Sequence, residues 1–217
     1  MKKTLFTMLV VLIIFLIYFF NTSEKVYYLS LGDYLSYGIN NFNNVNNNYS
    51  ENIKEHYKEN LNNYVNYSSY DDYRVMDLIN DIKYNKIVTY ENKKYNMQNL
   101  LIKANLITIS IGMNDLLYKV KFESDLYEYT DELINDIEKL FKLVRKYNKD
   151  KIYFLSFYNI IGNNNLIEYA NKRLKIICEK NKIKYVDISL LNNYTVNSIY
   201  PNNDGYTYIT NKILQNS

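Results

Sequence analysis

Hydrophobic positions between residues 26 and 217 fall into short continuous runs separated by longer amphipathic stretches. The runs are rich in β-branched and aromatic residues and end at turn residues, which is typical of strands buried on both faces. They predict a sheet of about five strands, at residues 26–31, 106–111, 152–157 and 183–188 with a weaker one at 64–67.

Helical periodicity separates the predicted strands. The predicted helices cover residues 73–82, 97–103, 125–147, 166–180 and 205–214. Strands that alternate with helices indicate a parallel sheet covered on both faces. The predicted fold is therefore α/β, a three-layer α/β/α sandwich with a central parallel sheet. The Asn-rich stretch at 40–48 and the residues up to 63 are predicted to form a low-complexity insertion.

The first 25 residues differ from the rest of the chain. Lys2 and Lys3 precede an apolar run at residues 5–20, about 24 Å long as a helix, and a polar stretch follows it. The run is long for a signal peptide and has no small-residue cleavage site, so an uncleaved membrane anchor is favoured over a secreted, cleaved form. The two lysines place the N-terminus in the cytoplasm and residues 26–217, a single domain, outside the cell membrane.

Composition narrows the function classes. Residues 4–217 carry 24 basic and 23 acidic side chains, so charge gives no support for nucleic-acid binding. Cys178 is the only cysteine and His56 the only histidine, which argues against disulfides, a transition metal or a redox cofactor. We expect no cofactor. The abundance of Asn, Lys, Ile and Tyr is typical of a low-GC bacterial genome.

Three stretches of polar and glycine residues follow predicted strands or precede the last helix. They are LGDYLSYG at residues 31–38, GMNDL at 112–116 and NSIYPNNDGY at 197–206. In a doubly wound sheet, sites form at the carboxyl ends of the strands. The three stretches are therefore expected to meet at one edge of the sheet.

In order and spacing, these stretches resemble the conserved blocks of the SGNH (GDSL-type) hydrolases. That family has G-D-S-L-[ST]-x-G after its first strand, G-x-N-D after its third, and D-x-x-H-P-N-x-x-G-Y before its last helix. The resemblance covers all of residues 26–217. It implies a flavodoxin-like SGNH hydrolase fold and a lipase or esterase ancestry.

The residues that the resemblance places in catalysis are replaced. The serine position is Tyr34, the aspartate position Asn197 and the histidine position Tyr200. The second family block aligns loosely with residues 66–78, where Tyr70, Asp71 and Asp72 stand in place of an expected glycine. The oxyanion and cleft remnant that the resemblance leaves consists of Gly32, Asp33, Gly112, Asn114 and Asp115.

Acyl transfer by the family's route needs a hydroxyl nucleophile and a base that takes its proton. A phenol titrates near pH 10, so Tyr200 offers almost no basic form at neutral pH. Asn197 carries no charge, and the oxygen of Tyr34 lies beyond the place of a serine oxygen. The sequence therefore predicts a catalytically inactive, membrane-tethered relative of these hydrolases.

Three functions remain open at this stage. The first is binding of an envelope glycan, an acyl-bearing ligand or a protein partner in a cleft lined by Tyr34, Tyr37, Tyr200 and Tyr206. The second is an active ester hydrolase, with His56 as a relocated base or Ser36 or Ser30 as a displaced nucleophile. The third is a metal-binding module formed by residues 202–204, which lacks the final Glu of a calcium loop. The oligomeric state is not predicted.

Overall fold

The structure is a computed structural model that describes residues 10–11, 24–38, 48–69, 72–120, 125–196 and 199–216. Nearly all of the predicted leader lies outside these ranges, and so do Asn197 and most of the 40–48 stretch. No helix within the described ranges is long and apolar enough to cross a membrane.

Nine strands, eight α-helices and one 3-10 helix make up the described part of the chain. In chain order they are β1 (Val26–Gly32), α1 (Tyr34–Tyr37), α2 (Tyr49–His56), β2 (Leu61–Ser68), α3 (Val75–Lys83), β3 (Ile87–Tyr90), β4 (Lys93–Asn96), α4 (Met97–Lys103), β5 (Leu106–Ser110), α5 (Met113–Val120), α6 (Leu126–Tyr147), β6 (Lys151–Leu155), α7 (Asn164–Lys180), β7 (Lys184–Val186), the 3-10 helix (Ser189–Tyr194), β8 (Thr195–Val196), β9 (Tyr200–Pro201) and α8 (Asn203–Leu214).

The central sheet has five parallel strands in the order β2-β1-β5-β6-β7. Every residue of β5 is buried, because helices cover both faces of the sheet. That burial explains why the predicted strands are continuous apolar runs rather than alternating ones. The predicted three-layer α/β/α fold with a parallel sheet is confirmed.

The helices divide between the two faces according to the direction of each crossover. The connections from β2 to β5, from β5 to β6 and from β6 to β7 all cross the sheet in one direction. Because such connections are right-handed, α3, α4, α6 and α7 lie on the same face. The step from β1 to β2 runs the other way, and α2 packs with α8 on the opposite face. The apolar stripe of α6, with Ile137 and Leu140 at its centre, is buried.

The prediction of a low-complexity insertion up to residue 63 is wrong for its second half. Asn48 caps α2 by accepting the Glu51 N–H at 2.8 Å, and this helix buries Tyr49 and Ile53 completely. β2 begins at Leu61, earlier than the predicted 64–67. The signal was weak because α2 places an apolar side chain inward only once per turn, among Asn, Glu and Lys.

Other element boundaries differ from prediction by a few residues. The last strand of the sheet is limited to Lys184–Val186, although Ile183 and Ile188 beside it are still buried. The predicted helix 73–82 begins two residues later, at Val75, where the Arg74 N–H donates to the Asp77 carboxylate at 2.9 Å. The β3–β4 hairpin and α5 were not predicted.

Candidate functional site

The order of the strands reverses at β1, which lies between β2 and β5. Crevices at the carboxyl ends of such neighbouring strands are the usual binding places of doubly wound sheets. Here the two strands are very close: a Cβ on Gly32 would lie 2.2 Å from the Ser110 carbonyl oxygen. Asp33 continues the contact, donating its N–H to that oxygen at 2.9 Å. The stretches at residues 31–38 and 112–116, which follow these two strands, therefore meet.

Asp33 is a fully buried carboxyl at this junction. Its side chain caps α1 by accepting the Leu35 N–H at 3.3 Å, while Oδ2 has no hydrogen-bond partner among the described residues. Burial raises the pKa of Asp33 to about 8, and nearby Asp115 adds to the increase, although backbone N–H groups of Leu35 and Met113 oppose it. Asp33 is therefore largely neutral at pH 7.

Tyr34 occupies the position of the family's serine and is only 2% exposed. Its hydroxyl lies 2.8 Å from the hydroxyl of Tyr158, which follows β6. Tyr158 donates its single proton to the Ile199 carbonyl, so Tyr34 must be the donor in the bond between the two tyrosines. Burial raises the pKa of both phenols well above 10. Tyr34 is thus a neutral side chain fixed inside the protein.

Aromatic rings close the space around this hydrogen bond. The ring of Tyr200, at the family's histidine position, meets the ring of Tyr34 edge-on at 5.9 Å between centroids. Tyr206 on α8 is 1% exposed. The structure therefore brings the serine and histidine positions together, as the resemblance implies. The aspartate position, Asn197, lies outside the described residues.

The stretch at residues 112–116 connects to residues 66–78, the second family block, rather than to the tyrosines. Asn114 donates its side-chain N–H to the Tyr73 carbonyl at 3.0 Å, and Asp115 accepts the Val75 N–H at 3.2 Å. Burial raises the pKa of Asp115 to about 6. Gly112 has φ 109, and a Cβ there would lie 2.9 Å from the Phe157 ring. These residues hold the start of α3 against α5.

Where the second family block has glycine, this chain has residues 70–72, of which only Asp72 is described. Asp72 has φ 48, in the left-handed region that favours glycine and that Asp tolerates better than most residues. Its carboxylate forms an ion pair with Arg74 at 2.7 Å. The backbone conformation expected of a glycine is therefore present at Asp72 without the glycine.

The residues suggested for metal binding instead start the last helix. Asn202 accepts the Gly205 N–H at 2.8 Å through its side-chain oxygen, which caps α8. A Cβ on Gly205 would lie 2.9 Å from both Pro201 and the Tyr194 carbonyl, so this close approach requires glycine. No group of three or more metal-ligating side chains occurs within the described ranges.

The proposed substitutes for nucleophile and base are not at this edge or are already engaged. Ser36 is fully buried, and its hydroxyl contacts those of Tyr49 at 2.6 Å and Ser110 at 2.8 Å. Ser30 lies in the same network, 3.3 Å from Thr108. His56 is exposed at the end of α2, four residues before Asn60, whose carbonyl accepts the Val26 N–H at the start of β1. It therefore lies at the amino edge of the sheet, opposite Tyr34.

Two of the four tyrosines expected to line a binding cleft do not present a ring to solvent. Tyr34 and Tyr206 are buried, whereas Tyr37 and Tyr200 are partly exposed. The expectation of four exposed rings is wrong because Tyr34 and Tyr206 pack into the core. Of these four tyrosines, only Tyr37 and Tyr200 are therefore available to contact a ligand.

The amino-acid sequence matches no protein-family model and no curated protein. Solved structures match over nearly the whole chain. An acetylxylan esterase from Geobacillus stearothermophilus has 18% identity and a TM-score of 0.65, over 89% of this chain and 93% of that one. A member of the lipolytic G-D-S-L family from Veillonella parvula has 17% identity and a TM-score of 0.60, over 87% and 96%. This chain has the SGNH hydrolase fold.

A third SGNH-fold structure supports the assignment. A lipolytic protein of the G-D-S-L family from Desulfitobacterium hafniense has 13% identity and a TM-score of 0.62, over 87% of this chain and 97% of that one. At these identities the likeness establishes the fold alone.

Tyr158 is the residue of this SGNH-fold edge that the sequence analysis did not identify. A signal was present, because Tyr158 directly follows the predicted strand 152–157 and residues after strands are the ones expected at the site. Its partnership with Tyr34 could not be inferred, since 124 residues separate the two and the chain contains 26 tyrosines.

Proposed function

We propose that this chain is a non-hydrolytic SGNH-fold protein, tethered to the membrane and facing the cell envelope. The observation that carries the proposal is the buried hydrogen bond between the hydroxyls of Tyr34 and Tyr158. A nucleophile must reach substrate and lose its proton. Tyr34 is buried, and burial raises the pKa of its phenol well above the usual 10.

The replaced base supports the same conclusion. In two structures of the Geobacillus esterase described as catalytic mutants, an aspartate or a histidine three positions further on is replaced by alanine. Asn197 and Tyr200 have that spacing here. Without an imidazole at Tyr200, the general base that the family's route requires is missing from its position.

The relocated-base alternative is opposed by where the substitutes lie. A general base must come within hydrogen-bonding distance of the proton that it takes. His56 is at the opposite end of the parallel strands, and the hydroxyl of Ser36 is enclosed by Tyr49 and Ser110. Neither arrangement brings a base to an exposed hydroxyl.

The tether and the ligand class complete the proposal. The apolar run at residues 5–20 anchors the chain and puts the domain on the outer side of the membrane. There the partly exposed rings of Tyr37 and Tyr200 offer stacking surfaces for an envelope glycan or an acyl-bearing ligand. The acetylxylan esterases among the structural neighbours favour the carbohydrate.

Hydrolysis of p-nitrophenyl acetate by the full-length chain in a non-ionic detergent at neutral pH tests this function. We expect the native chain to give only the background rate. The variant Tyr34→Ser/Asn197→Asp/Tyr200→His restores nucleophile and base, and we expect it to exceed the native rate by roughly tenfold or more, because acid–base groups typically supply factors of this size or larger.

The matched control is Asn197→Asp/Tyr200→His, which keeps Tyr34 and should remain at background. Circular dichroism checks that each variant is folded. Hydrolysis by the native chain, lost in His56→Ala, would instead establish an active enzyme with a relocated base.

A further inference from the structure

The amino edge of the sheet, opposite Tyr34, carries a groove with strong positive charge. Eight basic side chains line it against two acidic ones, Glu24 and Asp150. Residues 4–217 as a whole are nearly balanced, with 24 basic and 23 acidic side chains. Positive charge is therefore concentrated at this edge, although the composition as a whole is nearly neutral. Five of its exposed cations, here named the edge lysines, are Lys146, Lys149, Lys151, Lys182 and Lys184.

Three of the eight basic side chains have structural roles. Arg145 on α6 donates to the carbonyls of Asn181 at 3.1 Å and Asp150 at 2.8 Å, holding two loops together. Lys142 and Lys180 share the Glu138 carboxylate at 3.1 and 2.8 Å. These three have structural partners and favourable positions near helix C-termini.

Lys146 shares the favourable position near a helix C-terminus, but none of the edge lysines has an ion-pair partner among the described residues. Lys149 donates to the Arg145 carbonyl at 2.5 Å, and Lys184 donates to the Asn216 carbonyl, so each still carries its full charge. No ion pair engages Lys146, Lys151 or Lys182 in the described part of the chain. Lys151 and Lys182 also lie beyond the ends of α6 and α7. Five cations on one surface without carboxylate partners among the described residues favour an anionic partner.

The start of β1, where the chain enters the domain from the predicted membrane anchor, lies beside this groove and indicates what the anionic partner is. Glu24 and Val26 line the same groove. Asn105 fixes this entry point, because its side chain accepts the Tyr27 N–H at 2.9 Å and donates to the Lys25 carbonyl at 2.7 Å. Lys151 lies two strands away from β1, about 10 Å at ordinary strand spacing. The groove and the entry point therefore face the same way.

A short linker would then hold the groove against the membrane. Five residues, 21–25, connect the apolar run to β1 and reach at most about 18 Å when fully extended. Cations within a Debye length of about 8 Å from an anionic bilayer are attracted to it. We propose that the edge lysines dock this domain on an anionic phospholipid surface, so that the Tyr34 edge points away from the membrane. The inference rests on the proposed tether.

Lysine reactivity in reconstituted vesicles tests the docking. The full-length chain is inserted into vesicles of phosphatidylcholine, with or without phosphatidylglycerol, and treated with a membrane-impermeant amine reagent before peptide mass spectrometry. Lys139 on α6 is the internal reference, since it lies eight residues, or about 12 Å, before the end of that helix. We expect phosphatidylglycerol to lower the reactivity of Lys151 and Lys182 about fivefold relative to Lys139.

Two charge-reversal variants of equal charge provide the control. Lys151→Glu/Lys182→Glu should abolish the protection of Lys146 and Lys184. Lys172→Glu/Lys175→Glu, at exposed positions earlier in α7, should preserve it. Equal reactivity in both lipids, with the chain still floating with the vesicles, overturns the docking. Protection by soluble polyphosphate but not by phosphatidylglycerol also overturns it. A chain that floats with neither vesicle lacks the tether, which is a separate and distinguishable failure.

Discussion

Replacing Tyr34 with serine is expected to destabilise the protein by about 4 kcal/mol, the usual cost of removing a buried aromatic side chain. Tyr34 is 2% exposed, and its ring packs edge-on against Tyr200. The change leaves a cavity and removes the hydrogen bond to Tyr158. Equilibrium urea unfolding of the native and Tyr34→Ser chains measures the difference.

Tyr34→Phe separates the ring from the hydroxyl. It keeps the packing and removes only the hydrogen bond that Tyr34 donates, so we expect a loss of about 1 kcal/mol. Tyr158 still donates to the Ile199 carbonyl in this variant. If Tyr34→Ser costs no more than Tyr34→Phe, the ring is not part of the core and the proposed closure of the site is incorrect.

The stability of the native protein is expected to fall between pH 6 and pH 8 because of Asp33. Its pKa is raised from 3.8 to about 8 on folding, chiefly by burial. Between these values the folded state keeps a proton that the unfolded state releases. The free energy of unfolding therefore decreases as pH rises, by about 1.4 kcal/mol per unit for one such carboxyl. Asp115, with a pKa of about 6, adds to the slope mainly below pH 6.

Asp33→Asn removes the titrating group from this position. We expect the slope between pH 6 and 8 to flatten by about 1.4 kcal/mol per unit, as measured by urea unfolding across the range. Asp204→Asn, at an exposed position in the first turn of α8, should retain the native slope. Equal slopes in the native chain and in Asp33→Asn would mean that Asp33 is ionised and solvated in the folded protein.

The sheet could be predicted because buried parallel strands leave a simple trace in the sequence. Residues 106–111 are apolar or small throughout, since helices cover both sides of β5. Gly32 and Gly205 were identified through their resemblance to the family's blocks, and the structure supplies the reason, since another backbone group leaves no room there for a Cβ. The close backbone approach itself became known only from the structure.

Whether the site is open or closed was harder to predict than where it lies. The replacements at Tyr34 and Tyr200 were evident, but whether a tyrosine there is buried or lines an open cleft depends on distant residues. Here the deciding residue is Tyr158, whose hydroxyl accepts a hydrogen bond from Tyr34, 124 positions away in the sequence. The buried hydrogen bonds that join Ser36 to Tyr49 and to Ser110 could not be predicted for the same reason. Tertiary hydrogen bonds leave no periodic pattern.

Covalent labelling with a fluorophosphonate tests the central claim, that a closed tyrosine edge replaces the nucleophile of this SGNH fold. The reagent phosphonylates an activated hydroxyl with little dependence on the natural substrate, and mass spectrometry of the intact chain counts the adducts. We predict no adduct on the native chain and one on residue 34 of Tyr34→Ser/Asn197→Asp/Tyr200→His. A stoichiometric adduct on the native chain, at any serine or tyrosine, would contradict this account.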